Sequence, residues 1–339
     1  MIAQDAAAAS FAASPPAHSV RLHVVRQAVT WRIFPPPPGD DGIYVGIVTG
    51  PDGAIWLTDY RGRLVRIDAQ GSRTTFPLRF TAAGVTHAFL PAYIAVGADA
   101  KFYLTGCVDA STNCAFIGIA DTSGRLGVYP IPRSTGARFS GIAPGPDGNV
   151  WFTDSASVDK ISPSGVVTAY RYPSGEMTNQ LSGIAAGSDG KMWFAEIDKL
   201  LVGNVDPKTG KVVEYSTVSQ NIDCGLSGMA EGSDGNVYAA CGQGFVRVSP
   251  AGSMYYYESF FTLSDGAQEI AGGAKGTLWC QFLSEIGRFD PGQNLLIMYT
   301  PPAGALTLYG SATAPDSTQW TLAEDGTVYI LSAPAAAVR

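Results

Sequence analysis

Residues 140–154 read SGIAPGPDGNVWFTD, and residues 182–196 read SGIAAGSDGKMWFAE. Each stretch sets an Asp-Gly pair between two short apolar runs. That arrangement predicts a β-hairpin, because glycine supplies the positive φ that the tight turn requires. The turn returns at Asp52-Gly53 and Asp234-Gly235, with degenerate copies at Asp99-Ala100, Lys275-Gly276 and Asp316-Ser317. The seven anchors are therefore Asp52, Asp99, Asp147, Asp189, Asp234, Lys275 and Asp316, at intervals of 41 to 48 residues. Four residues after each stands an aromatic: Trp56, Tyr103, Trp151, Trp193, Tyr238, Trp279 and Trp320. Five before stand Ile47, Ile94, Ile142, Ile184, Met229, Ile270 and, as the exception, Ser311. Two before stand Gly50, Gly97, Gly145, Gly187, Gly232, Gly273 and Ala314. The regular placement of the aromatics in every unit predicts packing between neighbouring sheets rather than a stacking platform.

Each unit holds material for four strands. In the third, SGIAPG and NVWFTD flank the Asp-Gly turn, and VDKISPSG and VVTAYRYP follow. A repeat of this length with four strands is the sequence mark of a propeller. The reading is an all-β, seven-bladed β-propeller of four-stranded antiparallel blades. The last unit lacks its fourth strand, while residues 29–35, VTWRIFP, resemble one. The N-terminal strand is thus expected to complete the C-terminal blade, pairing edges that would otherwise stay open. Residues 1–28 read as a flexible leader rich in Ala, Ser and Pro, 29–331 as the propeller, and 332–339 as a tail.

Composition agrees. Hydrophobic residues make up 46% of the 339 and charged residues 15%, with 40 Gly and 22 Pro to serve turns. The net charge of −7 and the lack of a basic cluster argue against nucleic acid as a partner. No apolar run reaches the roughly 18 residues of a membrane-spanning helix. The expected state is a monomer. The compartment stays open: periplasmic or secreted if a signal peptide has been removed, otherwise cytoplasmic. A hairpin can bring Cys107 to bridging distance of Cys114, and Cys224 and Cys241 flank the fifth hairpin at its open end, with Cys280 left odd; buried thiols are the equally ordinary reading, and the disulfide state stays open.

The unit SGIAPGPDGNVWFTD…KISPSGVVTAY resembles the repeat of the virginiamycin B lyase family, over about residues 29–331. The resemblance implies a propeller that opens a cyclic depsipeptide at its ester by elimination. It implies a histidine general base seven residues before the turn Asp, and a glutamate seven after it that helps to hold Mg²⁺. Equal offsets about a hairpin are expected to lie side by side, at the end of the blade away from the turn and near the mouth of the central channel.

The seven positions before the turn are Val45, Ala92, Ser140, Ser182, Ser227, Gln268 and Tyr309. None is histidine. The seven after it are Asp59, Gly106, Asp154, Glu196, Cys241, Phe282 and Ala323. The chain has only His18, His23 and His87, none in the motif position. Ser140, Ser182, Ser227, Gln268 and Tyr309 are accordingly expected to line a channel-mouth site for a small-molecule or protein ligand. Asp59, Asp154 and Glu196 are the candidates for a hard cation, Mg²⁺ or Ca²⁺, against the plainer reading that acids at strand ends cap turns. Tyr309 and His87 are the candidates for proton transfer. The leading expectation is a propeller of this kind that lacks the histidine base and binds a ligand or partner. The alternative is a divalent-metal-dependent lyase or lactone- or ester-ring-opening enzyme.

Overall fold

The computed structural model describes residues 19–109, 114–131, 141–175, 181–196, 199–220, 222, 224–242, 244–258, 269–273, 276–282, 284–302 and 308–332. Seven antiparallel blades follow one another along the chain. The first is Tyr44–Thr49, Ile55–Asp59, Arg63–Ile67 and Arg73–Pro77, and the fourth is Leu181–Ala186, Met192–Glu196, Leu201–Val205 and Val212–Ser216. The first strands of successive blades touch in an unbroken ring, blade 7 against blade 1 included. Among the described residues there is no α-helix.

The repeat has a mechanical explanation. Every anchor-plus-four aromatic is buried between blades, with Trp56 and Trp151 wholly inaccessible. The indole N–H of Trp56, Trp151 and Trp193 donates to the turn carboxylate four residues earlier, at 2.8, 2.9 and 3.2 Å. Tyr238 donates its hydroxyl to Asp234 at 2.9 Å. The same carboxylate accepts the backbone N–H two residues on, as Asp147 does from Asn149 at 3.3 Å, so one Asp closes the turn and orients the ring. The glycine two before the anchor makes room for that ring: a Cβ on Gly145 would lie 2.3 Å from Trp151 Cδ1, and one on Gly50 2.3 Å from Trp56 Cδ1. Blade 7, with Ala314 in place of glycine, differs: Trp320 donates to Thr318 instead, at 2.9 Å.

Closure follows the expected route. Trp31–Phe34 pairs antiparallel with Val328–Leu331, Trp31 opposite Leu331 and Phe34 opposite Val328. The expected leader of residues 1–28 is corrected at its inner end. Ser19–Arg21 adds a fifth, parallel strand to the outer edge of blade 5, and His23–Arg26 does the same for blade 6. The segment SVRLHVV alternates, so Val20, Leu22 and Val24 turn inward to the apolar layer around Phe289 while Val25 stays exposed. Arg26 then holds the buried Glu285 with two hydrogen bonds, at 3.0 and 3.2 Å. The chain thus laces blades 5 and 6 before closing blade 7. Residues 332–339 fall almost wholly outside the described residues.

Candidate functional site

In blades 1, 2, 4, 5 and 7, at the end away from the Asp-Gly turn, the first two strands do not stay in the simple register expected of them. In blade 4, Ser182 faces Ala195 and Ile184 faces Phe194, leaving Gly183 as an extra residue; Glu196 pairs with Leu181. Blade 5 repeats this, with Gly228 extra and Cys241 paired to Leu226. In blades 1 and 7 the extra residues are Val45 and Tyr309. A one-residue shift moves a side chain to the opposite face of the sheet. In these five blades the residue seven after the turn therefore pairs with the one eight before it, not with the one seven before. The two rings that the sequence set side by side are separated by this bulge.

Val45, Ala92 and Ser227 are half-buried on the first strands of blades 1, 2 and 5. Ser182 and Tyr309 lie on the first strands of blades 4 and 7. Ser140 and Gln268 lie outside the described residues.

The carboxylates are sequestered. Asp59 is fully buried, accepts the backbone N–H of Ile43 and of Arg61, both at 3.0 Å, and is ion-paired with Arg63. Asp154 accepts the backbone N–H of Ala156 at 2.7 Å and of Ser157 at 2.9 Å, together with the Ser157 hydroxyl. These two acids cap their own turns. Glu196 differs: it is inaccessible, and neither oxygen has a hydrogen-bond partner among the described residues. Burial first, and then the charge of Glu214, push its carboxyl up to about 7. Asp159, on the third strand of blade 3, is likewise inaccessible and unpartnered, and is pushed up to about 8 by burial and then by Asp154. No group of three or more His, Cys, Asp or Glu side chains converges as metal ligands among the described residues. The donors present do not fit the Mg²⁺ that the resemblance implies: two are committed to turns, and the third faces the interior of the blade stack.

His87 sits on the long first strand of blade 2, Val85–Val96, which rises past the rim and pairs with Arg79–Ala82. It contacts Asp109 at 2.5 Å and leans on the Phe80 ring. Five residues of extended chain, about 16 Å, separate it from Ala92 in the ring. Both expected cysteine pairs are bridged, Cys107–Cys114 and Cys224–Cys241, and Cys280 is a buried free thiol. The second bridge ties the ring position Cys241 to the loop entering blade 5.

One ring escaped the sequence reading, which compared offsets seven, five and two but not six. Six residues before the anchors stand Gly46, Tyr93, Gly141, Gly183, Gly228, Glu269 and Gly310. The two exceptions to glycine carry a phenol and a carboxylate. Aligning the seven units at this offset exposes them at once.

The sequence profile of the Virginiamycin B lyase family matches residues 20–248. Among solved structures, selenomethionine-substituted virginiamycin B lyase from Staphylococcus aureus superposes with a TM-score of 0.75 at 20% identity, covering 90% of this chain and 99% of that one. A streptogramin B lyase gives 0.74 at 22%, covering 89% and 97%. A catalytically inactive His-to-Ala variant of the staphylococcal lyase with quinupristin gives 0.73 at 20%, covering 90% and 100%. At these identities the structures speak to the fold. No curated protein matches the chain.

Proposed function

The chain belongs to the virginiamycin B lyase family, and from that premise we propose that it is a ligand-binding propeller that has lost the lyase reaction. The observation that carries this is the ring seven residues before the turns, which holds no histidine in any of the seven blades. Elimination beside an ester carbonyl needs a base within hydrogen-bond reach of the departing proton. Serine and glutamine do not accept a proton near neutral pH unaided. His87 stands beyond the rim, and Glu196, whose raised carboxyl has the right proton affinity, faces the protein interior. The solved relative without its histidine is described as catalytically inactive and is found with quinupristin, which supports separating binding from turnover in this architecture.

The ligand is expected at the channel mouth, against Ser182, Ser227 and Tyr309, with Ser140 and Gln268 as further members of the ring. The two disulfides favour an oxidising compartment for this protein. Isothermal titration with a quinupristin-type depsipeptide tests the reading: saturable binding, weakened by Ser227→Trp at the ring, is the expected result. Absence of saturable binding, or binding indifferent to the ring substitution, overturns it.

A further inference from the structure

The interface between blades 6 and 7 departs from the repeat in four columns at once. Where one blade meets the next, it presents the residues six before and six after its anchor, and the next blade presents those five before and five after its own. Between blades 1 and 2 these are Gly46 and Thr58 against Ile94 and Leu104. They pack closely: a Cβ on Gly46 would lie 2.8 Å from Thr58 Oγ1 and 3.1 Å from Ile94 Cγ2, and the Thr58 hydroxyl donates to the carbonyl of Ala92 at 2.7 Å. In the same way a Cβ on Gly141 would meet Ile184 at 3.1 Å, and one on Gly310 would meet Ile47 at 2.9 Å. Between blades 6 and 7 the four places hold Glu269, Gln281, Ser311 and Thr321. A carboxylate, a carboxamide and two hydroxyls stand where blades 1 and 2 use glycine, threonine, isoleucine and leucine.

Register and packing turn all four side chains into the space between those two blades. Trp279 packs with Ala323 and Tyr329 of blade 7. Gln281, two residues further along the strand Leu278–Gln281, shares its face, and Glu269 stands directly opposite Gln281. In blade 7, Trp320 and Leu322 pack against blade 1, so Thr321 between them faces blade 6, and Ser311 stands directly opposite Thr321. Two residues beyond Ser311, the Thr313 hydroxyl lies 3.5 Å from the blade 6 carbonyl of Gly272. Glu269 Oε2 comes within 3.7 Å of where a Cβ on Gly310 would stand, next to Ser311. Gln281 is 1% exposed and Thr321 is inaccessible. Neither amide atom of Gln281 and neither hydroxyl of Ser311 and Thr321 has a hydrogen-bond partner among the described residues. Burial pushes the Glu269 carboxyl up to about 7. Buried polar atoms without partners are costly, and each such group calls for an explanation. The blade 1–2 interface shows that an apolar packing closes the same gap.

We propose that Glu269, Gln281, Ser311 and Thr321 form a site for a monovalent alkali cation, held between blades 6 and 7 and pinning the closing blade of the ring to its neighbour. The chemistry selects this class. The acceptors are all oxygen: a carboxylate, a carboxamide carbonyl and two hydroxyls. Such a set suits a hard cation, and the carboxylate repels anions. One carboxylate balances one positive charge. A divalent ion would leave a charge uncompensated in a buried place, and no group of three or more His, Cys, Asp or Glu side chains converges among the described residues. The site lies between two blades rather than in the ring seven residues before the anchors, so depsipeptide binding neither requires nor excludes it.

The test is calorimetric melting of the full chain, with NaCl or KCl replacing choline chloride at constant ionic strength, so that screening of surface charge stays the same. An ion that binds only the folded chain raises the melting midpoint as its concentration rises; at about ten times its dissociation constant the gain should be roughly 2–4 °C. A rise with sodium, with potassium or with both supports the site, and the order of the two reports its size. Glu269→Gln keeps the shape and removes the charge, and should erase the difference between alkali and choline salts. A second variant carries Glu269→Gly, Gln281→Thr, Ser311→Ile and Thr321→Leu together, which copies the blade 1–2 interface. It should fold and melt at one temperature in all three salts.

An unmodified chain that melts identically in sodium, potassium and choline chloride would overturn the site and leave its polar atoms to ordered water. Alkali dependence that survives in either variant would also overturn it. So would stabilisation by CaCl₂ or MgCl₂ with none by the alkali salts.

Discussion

Gly145 and Trp151 are expected to be energetically one unit, which a double-mutant cycle can measure. Trp151 is wholly buried, stacks on Tyr170 with ring centroids 5.4 Å apart, and carries the Lys160 ammonium 5.1 Å over its face. Trp151→Ala should cost about 3–5 kcal/mol, the range for emptying a large aromatic site. Gly145→Ala adds a single methyl group, and Gly145 is not among the positive-φ residues, so its backbone conformation costs an alanine nothing. Its penalty is steric: the new Cβ would sit 2.3 Å from Cδ1 and 2.4 Å from Nε1 of Trp151, and 2.8 Å from Asp147 Oδ1. Overpacking of this kind costs about 1–3 kcal/mol. With Trp151 already alanine, the main obstacle is gone, and most of the Gly145→Ala penalty should vanish. The coupling should therefore be about 1–2 kcal/mol, within the range for residues in direct contact. Urea denaturation of the four proteins, followed by far-UV circular dichroism, supplies the cycle. Equal Gly145→Ala penalties in both backgrounds would refute the claim that this glycine exists to admit the aromatic ring.

Two further outcomes follow from the fold. Asp159 and Glu196 hold protons more tightly in the folded chain than in the unfolded one, so their contribution to stability is full in acid and is lost as pH rises toward about 8 and about 7 respectively. Chemical denaturation should show stability falling from about pH 5 to about pH 8, and Asp159→Asn should remove part of that slope and gain on the order of a few kcal/mol at the alkaline end; a slope unchanged by the substitution contradicts the buried-acid reading. With the chain beginning at residue 19 as reference, starting it at residue 29 strips the outer strands of blades 5 and 6 and exposes the surface buried by Leu22, costing about 1.5–3 kcal/mol for that side chain alone. Starting it at residue 36 also removes the closing strand and should abolish cooperative melting in calorimetry, while an identical transition in both shortened chains would sink the closure account.

What the sequence disclosed, and what it hid, divides along physical lines. The anchor, its aromatic and its glycine are readable because they interact within one hairpin, where spacing along the chain is spacing in the molecule. The closing strand is readable for a related reason: residues 29–35 match an element missing from the last unit. The lacing strands Ser19–Arg21 and His23–Arg26 carry a period-two alternation through Val20, Leu22 and Val24, but they pair parallel to edges more than 230 residues away, and nothing local marks an edge as wanting a fifth strand. The channel-mouth ring is harder still. A bulge of one residue, invisible in the spacing, pairs Glu196 with Leu181 rather than with Ser182, so equal offsets did not mean pairing. Tyr93 and Glu269 were present as departures from a glycine column, and the crowding of successive first strands is what explains that column.

The central claim, a propeller of the virginiamycin B lyase family without the lyase step, is tested most directly by incubating the purified chain with a streptogramin B depsipeptide and Mg²⁺ and following the linear product by mass spectrometry. The account predicts intact cyclic ester and no enzyme-dependent linear product, because none of the seven ring positions offers a histidine. Robust turnover that disappears on Glu196→Gln or Tyr309→Phe would contradict it and install the metal-dependent enzyme in its place; turnover lost only on His87→Ala would show that the base stands outside the ring altogether.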